Sequence, residues 1–329
     1  MKDIVDNIPT YQDMLEAHER IKPIIRRTPV RTSDYLNELT GASLFFKCEN
    51  FQEPGAFKVR GATNAVFGLN DDQARLGVAT HSSGNHASCL SYAAMRRGIP
   101  CNVVMPHTAP QAKKDTVRRY NGIITECEPS TTSREATFAE VQAKTGGDFV
   151  HPYNDPRVIA GQGTCGLEIA EQAAELGIKD ADVLVCCGGG GLTSGIALAL
   201  EQDAPNMRVR PVEPKGFDDV CRSLISGKIE RNPTTLGSLC DAIVTLSPGQ
   251  LTFPIMQRLC HAGITVTEEQ ALHAMQLAHD RLKITIEPGG AVALAAALFH
   301  GDQASSDCVI AVASGGNVDR DVFERALTA

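Results

Sequence analysis

The sequence predicts an α/β protein with two open, twisted parallel-sheet lobes, flanking helices and a binding cleft between the lobes. Short apolar runs alternate with helix-like stretches along most of the 329 residues, a pattern typical of strand–helix–strand units. Residues 183–187 are apolar without interruption, as expected for a strand covered on both faces. Glycine- and hydroxyl-rich turns follow several apolar runs, and ligands of open α/β sheets bind at such strand ends.

The individual elements follow from local signals. The first helix is predicted to begin at Thr10, which can cap it and lies three residues before Asp13, close to the capping-box spacing. The predicted strands are residues 44–46, 77–80, 102–105, 123–125, 183–187, 209–212 and 308–313. The predicted helices between them are residues 62–69, 86–97, 111–120, 134–144 and 193–200.

Composition excludes several classes of protein. Lys and Arg number 31 against 39 Asp and Glu, a net charge of −8, which argues against a nucleic-acid binder because phosphate neutralisation needs a basic face. No apolar run reaches the roughly 18–20 residues of a membrane span, and the N-terminal segment has no apolar core typical of a secretory signal. The 11 cysteines include no C-x-x-C pair. We therefore expect a cytoplasmic protein with reduced thiols.

Four consecutive glycines mark a candidate phosphate site. They follow the apolar run at 183–187 and precede the predicted helix at 193–200. Glycine lets backbone approach an anion closely, and a helix N-terminus offers amide donors. The pattern is neither a Walker loop nor a dinucleotide fingerprint. The alternative is a glycine turn that serves only tight packing.

Two polar turns follow other predicted strands. Residues 82–86 read Ser-Ser-Gly-Asn-His and residues 314–317 read Ser-Gly-Gly-Asn. Both offer small hydroxyls and amides at a strand end, where a carboxylate or phosphate can be bound. The alternative for the first turn is an ordinary helix cap.

Lys58 is the candidate nucleophile. It lies between Phe57 and Val59 in a turn bracketed by Gly55 and Gly61. A lysine desolvated by apolar neighbours has a lowered pKa and can form a Schiff base, whereas the alternative is a solvated surface charge. One such lysine, a phosphate cradle and two polar strand-end turns together indicate a phosphorylated aldehyde cofactor.

The same segments carry a family resemblance. The sequence resembles the serine racemase and threonine dehydratase branch of the pyridoxal-phosphate enzymes with the tryptophan-synthase-β fold (fold type II). The matching segments, in family order, are residues 57–62, 80–86, 160–164, 188–192, 212–214, 287–291 and 314–317. Residues 234–254 and 283–291 are also similar to bacterial β-hydroxyaspartate dehydratases.

The resemblance implies a role for each cofactor contact. Lys58 would hold pyridoxal phosphate covalently and later remove the Cα proton. Phe57 would pack beside the pyridine ring, Asn85 would bond the 3′-oxygen, and Ser314 would contact the ring nitrogen. A neutral hydroxyl there makes the ring a weaker electron sink, which favours elimination. The phosphate would bind the backbone amides of Gly188, Gly189, Gly190, Gly191 and Leu192.

Substrate contacts are implied in the same way. The α-carboxylate would bind the turn formed by Ser82, Ser83, Gly84, Asn85 and His86. Ser83 also matches the opposite-face acid/base of serine racemase, which would permit racemisation. His81 and Arg134 would face the distal end of the substrate, and an arginine there suits a β-carboxylate. The alternative for Arg134 is a plain charge in an exposed helix. Tyr153 would also contact the substrate, at a position where serine racemase has asparagine.

A cation site is implied as well. Glu213, Asp219 and the carbonyl of Phe217 match the divalent-cation ligands of serine-racemase-like enzymes, and oxygen ligands suit Mg²⁺, Mn²⁺ or Ca²⁺. The alternative is a solvated acidic loop.

The expected function is elimination of water and ammonia from 3-hydroxyaspartate by a homodimer. The resemblance implies a large cofactor-binding domain of residues 1–73 and 151–329 and a small mobile domain of residues 74–150. The alternatives are a serine/threonine dehydratase or serine racemase, a β-replacement transferase, a non-enzymatic cofactor-binding protein and, least favoured, a dinucleotide oxidoreductase.

Overall fold

Two sheets organise the computed structural model, which describes residues 7–328. The strands are β1 (Val30–Arg31), β2 (Ser43–Cys48), β3 (Val78–His81), β4 (Cys101–Pro106), β5 (Ile123–Cys127), β6 (Asp148–Phe149), β7 (Ala181–Cys186), β8 (Met207–Pro214), β9 (Ile264–Val266) and β10 (Cys308–Ala313). The larger sheet has the order β1-β2-β10-β7-β8-β9 and the smaller one β5-β4-β3-β6. Every pairing is parallel except that of β1 with β2. The predicted α/β class is confirmed.

Helices connect and cover these strands. They are α1 (Tyr11–Ile21), α2 (Asp34–Thr40), α3 (Lys58–Phe67), α4 (Asp71–Leu76), α5 (Asn85–Arg97), α6 (Gln111–Arg119), α7 (Thr131–Thr145), α8 (Pro156–Glu175), α9 (Gly191–Asp203), α10 (Asp219–Ser226), α11 (Thr252–Leu259), α12 (Glu268–Leu277), α13 (Pro288–Phe299) and α14 (Arg320–Ala326). None of those in residues 7–328 has the length and apolar character needed to cross a bilayer.

Most predicted elements are present, with ends shifted by a few residues. Thr10 caps α1 as expected: its hydroxyl accepts from the Asp13 amide, and the Asp13 carboxylate accepts from the Thr10 amide. The prediction that Gly77 begins a strand is wrong. Gly77 ends α4 with a φ of +78°, and a Cβ there would collide with the Pro100 carbonyl oxygen. Cys187 likewise lies beyond β7, in the turn that follows it.

The carboxyl ends of the strands carry the polar segments singled out in the sequence. β3 leads into residues 82–84, β7 into the glycine loop, β8 ends beside Glu213, and β10 leads into Ser314. All four strands of the smaller sheet lie between Val78 and Phe149. The division into domains of residues 1–73 with 151–329 and residues 74–150 stays a prediction.

A buried ion network joins the helix of Lys58 to the larger sheet. Arg60 on α3 donates to Glu49 at 2.7 Å and to Glu168 on α8 at 2.8 Å. Lys47 on β2 donates to the same Glu168 at 2.6 Å. The four side chains are at most 2% exposed. Burial opposes ionisation of Glu49, but Arg60 outweighs it and lowers the pKa of that carboxyl to about 2.

Removing Arg60 should therefore destabilise the fold. We expect Arg60→Met to lower the free energy of unfolding by about 3–5 kcal/mol, since two carboxylates would share only Lys47 as a buried counter-charge. Methionine forms helices as well as arginine, so helix propensity is matched. The measurement is urea-induced unfolding.

Arg27→Met is the control. Arg27 pairs with Glu171 and Glu175 on the surface, with its side chain 46% exposed, so its loss should cost less than about 1 kcal/mol. Equal losses for the two variants would contradict a special role for the buried network.

Candidate active site

Lys58 is the first residue of α3 rather than part of the turn before it. Its Nζ donates to the Pro152 carbonyl oxygen at 2.8 Å and lies 5.1 Å from the centroid of the Phe57 ring. Burial lowers the pKa of the amine to about 8. The Phe57 amide in turn donates to the Ser314 carbonyl oxygen at 3.0 Å. The lysine is thus desolvated, with a reactive neutral form accessible near neutral pH.

Three histidines of the site are neutral, and two of them are near enough to Lys58 for its charge to act on them. Burial lowers the pKa of His86 to about 3 and that of His151 to about 4, and the Lys58 charge acts in the same direction on both. Burial followed by the Arg134 charge also lowers the pKa of His81. The imidazoles therefore add polarity to the cleft without adding charge.

The turn after β3 begins α5. Gly84 is the N-cap residue, Ser82 is half-buried, and Ser83 is exposed. The His86 ring lies behind them, with Nε2 2.9 Å from the Val150 carbonyl oxygen. A carbonyl only accepts, so Nε2 carries the proton and Nδ1 is an acceptor. The hydroxyls and the α5 N-terminus can bind a carboxylate.

The glycine loop forms a backbone cradle at the N-terminus of α9. Gly190 is the N-cap residue with a φ of +91°. A Cβ at Gly188 would lie 2.6 Å from the Ile243 carbonyl oxygen, and one at Gly189 would collide with the Tyr153 ring. Leu192 is buried in the first turn of the helix. Backbone amides at a helix N-terminus can bind a phosphate group. The loop therefore fits the phosphate of the predicted cofactor.

Arg134 reaches the cleft from α7. That helix begins at Thr131, three residues earlier than predicted. The guanidinium is near enough to His81 and Tyr153 for its charge to act on both: with burial it lowers the pKa of His81, and it opposes the rise that burial and Asp219 cause in the pKa of Tyr153. Its Nε is buried with no hydrogen-bond partner, and it forms no ion pair within residues 7–328. An unpaired, half-buried arginine in a cleft is a site for an anionic ligand.

Packed imidazole and aromatic rings form one wall of the cleft. His81 packs on Phe138 at 5.2 Å between centroids, and His151 packs on Tyr153 at 4.6 Å. Tyr153 in turn covers the glycine loop. The structure therefore brings the predicted distal-end residues and the predicted phosphate cradle together.

Glu213 and Asp219 lie at the end of β8 and the start of α10, and the Asp219 charge adds to burial in raising the pKa of Tyr153. Glu213 accepts from the Val220 and Cys221 amides at 3.0 and 2.7 Å. Asp219 accepts from Asn232 at 2.5 Å through Oδ1, while its Oδ2 is buried without a partner. Burial raises the pKa of Glu213 to about 8 and of Asp219 to about 7.

The alternative of a solvated acidic loop is therefore wrong, since both carboxylates are at most 1% exposed. Phe217, the predicted carbonyl ligand, is half-buried on the turn between them. Residues 7–328 contain no group of three or more His, Cys, Asp or Glu side chains placed for a metal. A cation here would need backbone and water oxygens besides the two carboxylates.

Two residues at the site received no role from the sequence. Glu287 and Asn317 both hydrogen-bond Asn85 from across the cleft. Their segments are part of the family resemblance, but contacts between residues more than 200 positions apart leave no local pattern in a single sequence.

Comparison with known proteins places these features in a family. The family model described as "Pyridoxal-phosphate dependent enzyme" matches residues 21–315. The chain is 61% identical to a beta-hydroxyaspartate dehydratase of Paracoccus denitrificans (strain Pd 1222), covering 95% of this chain and 98% of that protein. It is 47% identical to a serine racemase of Arabidopsis thaliana, covering 92% of each.

Solved structures agree. Maize serine racemase superposes with a TM-score of 0.91 at 40% identity over 97% of each chain. A threonine deaminase from T.th. superposes with a TM-score of 0.90 at 40% identity, covering 94% of this chain and 99% of that one. The predicted tryptophan-synthase-β-like fold, the family and the cofactor are confirmed: the chain belongs to the pyridoxal-phosphate dependent enzymes.

Proposed function

We propose that the enzyme eliminates water from 3-hydroxyaspartate to give iminosuccinate, whose hydrolysis by water releases ammonia and leaves oxaloacetate. The observation that carries the proposal is the unpaired Arg134 beside His81 and Tyr153, because a guanidinium in that position suits the second carboxylate of the substrate. The 61% identity to a protein named beta-hydroxyaspartate dehydratase supports it.

Pyridoxal phosphate, when bound, withdraws electrons from Cα of the attached amino acid and makes its proton removable. The backbone amides of Gly188, Gly189, Gly190, Gly191 and Leu192 would hold the phosphate. Phe57 would pack on the ring, Asn85 would donate to the 3′-oxygen, and Ser314 would offer a neutral hydroxyl to the ring nitrogen.

Lys58 moves the proton. Its Nζ accepts the Cα proton, and the β-hydroxyl leaves with the electron pair of its bond and becomes water on taking up a proton. The residues that hold the α-carboxylate are Ser82, Ser83, Gly84, Asn85 and His86. Arg134 and His81 fix the β-carboxylate, and Tyr153 closes the wall behind it.

Lys58→Ala should abolish turnover. We expect keto-acid release to fall at least about 10³-fold, because both the covalent anchor and the base are lost. The absorbance of bound cofactor should change as well. Lys22→Ala, which removes an exposed lysine, is the control. Retention of both activity and cofactor absorbance in Lys58→Ala would refute the mechanism.

The second candidate is a serine/threonine dehydratase or serine racemase. Ser83 at the mouth of the cleft favours it, since a hydroxyl there can deliver a proton to the opposite face of Cα. The 47% identity to Arabidopsis serine racemase also supports it.

Replacing Arg134 distinguishes the two candidate functions. We expect Arg134→Ala to lower kcat/KM for 3-hydroxyaspartate by about 100-fold or more, because a desolvated charge pair is lost. Turnover of L-serine and L-threonine should change little. Arg134→Lys keeps the charge but not the bidentate geometry of the guanidinium, so it should give an intermediate loss of kcat/KM for 3-hydroxyaspartate.

The assay is keto-acid release from L- and D-serine, L-threonine and the four 3-hydroxyaspartate stereoisomers. A parallel fall for all substrates would make Arg134 structural and favour the second candidate.

We also propose that Glu213, Asp219 and the Phe217 carbonyl hold Mg²⁺, Mn²⁺ or Ca²⁺. The partnerless, buried Oδ2 of Asp219 supports this. Adding the cation to chelator-treated protein should raise the melting temperature by several degrees, since a ligand that binds only the folded state stabilises it. Asp219→Asn should remove this rise and Asp218→Asn should keep it. An equal rise in both variants would place the cation elsewhere.

We further propose a cytoplasmic homodimer in which residues 74–150 form a small mobile domain against residues 1–73 and 151–329. The confinement of the smaller sheet to residues between Val78 and Phe149 supports the division. The 11 free cysteines agree with a reducing compartment. The family resemblance supports dimerisation.

A further inference from the structure

The Asn85 side chain is held on both sides by residues from beyond the smaller sheet. Its Nδ2 donates to Glu287 Oε1 at 2.6 Å, and its Oδ1 accepts from Asn317 Nδ2 at 2.8 Å. Asn317 Nδ2 also donates to the Pro54 carbonyl oxygen at 2.9 Å. We refer to Glu287 and Asn317 as the Asn85 clamp.

The chemistry of the clamp fixes which way the Asn85 amide points. The Pro54 carbonyl can only accept, so Asn317 must turn its NH₂ group toward Pro54 and Asn85. The Asn85 oxygen is thereby engaged. One of the two Nδ2 hydrogens is used by Glu287, and the other is left for a ligand. Asn85 therefore offers a donor to the cleft.

The Glu287 side chain bonds Asn85 and does not cap its own helix. It is the N-cap residue of α13, yet its side chain makes no cap hydrogen bond, although side chains at this position commonly accept from the helix amides. It is 5% exposed. A Cβ on Gly315 would collide with Glu287 Oε1 and would lie 3.3 Å from Asn85 Nδ2. The glycine in the 314–317 turn is thus what lets the two side chains meet.

We propose that Glu287 is a positioning residue which, together with Asn317, locks the Asn85 amide so that its N–H faces the cofactor oxygen. This inference rests on the proposed contact between Asn85 and that oxygen. Without the clamp the amide can rotate and turn its own oxygen toward the ligand, so that a lone pair replaces a donor.

The clamp does not require Glu287 to be ionised. Burial raises the pKa of Glu287 to about 7; the Asn85 hydrogen bond and the Lys113 charge act against this rise, and the charges of Asp241 and Asp319 act with it. Oε1 can accept from Asn85 in either protonation state, because the proton can reside on Oε2. An uncharged acceptor of the same shape should therefore replace it.

A double-mutant cycle between Glu287 and Asn85 tests the proposal. The readouts are the dissociation constant of pyridoxal phosphate by equilibrium dialysis and the visible absorbance of the bound cofactor. We expect Glu287→Ala to weaken cofactor binding by about tenfold, the scale of one hydrogen bond. In the Asn85→Ala background the same substitution should have almost no effect.

Two further variants guard against a folding artefact. Glu287→Gln keeps an acceptor oxygen and should recover most of the affinity lost in Glu287→Ala. Asn317→Ala, which opens the clamp from an exposed position, should also lose its effect in the Asn85→Ala background. Asp319→Asn is the control, because Asp319 contributes charge near Glu287 without bonding Asn85.

Each outcome decides a separate point. If Glu287→Ala costs the same affinity with Asn85 present or absent, or if Glu287→Gln is as weak as Glu287→Ala, the positioning role is overturned and the proposed function stands. If Asn85→Ala alone leaves affinity and absorbance unchanged, the cofactor contact of Asn85 and this inference both fail, while elimination by Lys58 is tested separately.

Discussion

The salt bridges of Arg60 fix the position on which the rest of the site depends. Arg60 lies two residues after Lys58 on the same helix and is bound to Glu49 and Glu168 in the interior. Close helix packing reinforces this anchor, since a Cβ on Gly161 of α8 would lie 2.6 Å from Gly61 Cα. The helix can therefore neither slide nor rotate, and the amine at its first residue stays in the cleft although burial disfavours its charge.

Around that amine the cleft is polar but nearly free of charge. The neighbouring imidazoles are neutral because burial lowers their pKa values. The charges of Arg134 and Arg231 both act on Tyr153, and in such surroundings a guanidinium has a strong effect on which anion binds. In the proposed function, Arg134 is the side chain that distinguishes a dicarboxylate from a monocarboxylate substrate.

The sequence predicts the parts of this arrangement that have a local cause. The strand at 183–187, the glycine loop and the apolar neighbours of Lys58 depend on adjacent residues, and the structure places all of them as expected apart from the ends of elements. The sequence pattern does not predict helix α13. This helix is buried on nearly every face, so its sequence lacks the alternation of polar and apolar residues at a helical period. Glu287 and Asn317 bond Asn85 from more than 200 positions away, and only the folded topology brings these residues near each other.

The positions of Arg134 and the glycine loop have a consequence for how the enzyme can change in evolution. A side chain at Gly189 would displace Tyr153, so the phosphate cradle cannot be altered without disturbing the substrate wall. Arg134 lies on α7, whose one buried residue is Phe138. Substitutions on α7 should therefore cost less stability than side chains added to the glycine loop. With the proposed role of Arg134, substrate preference can change through α7 without any change in the loop that would hold the cofactor.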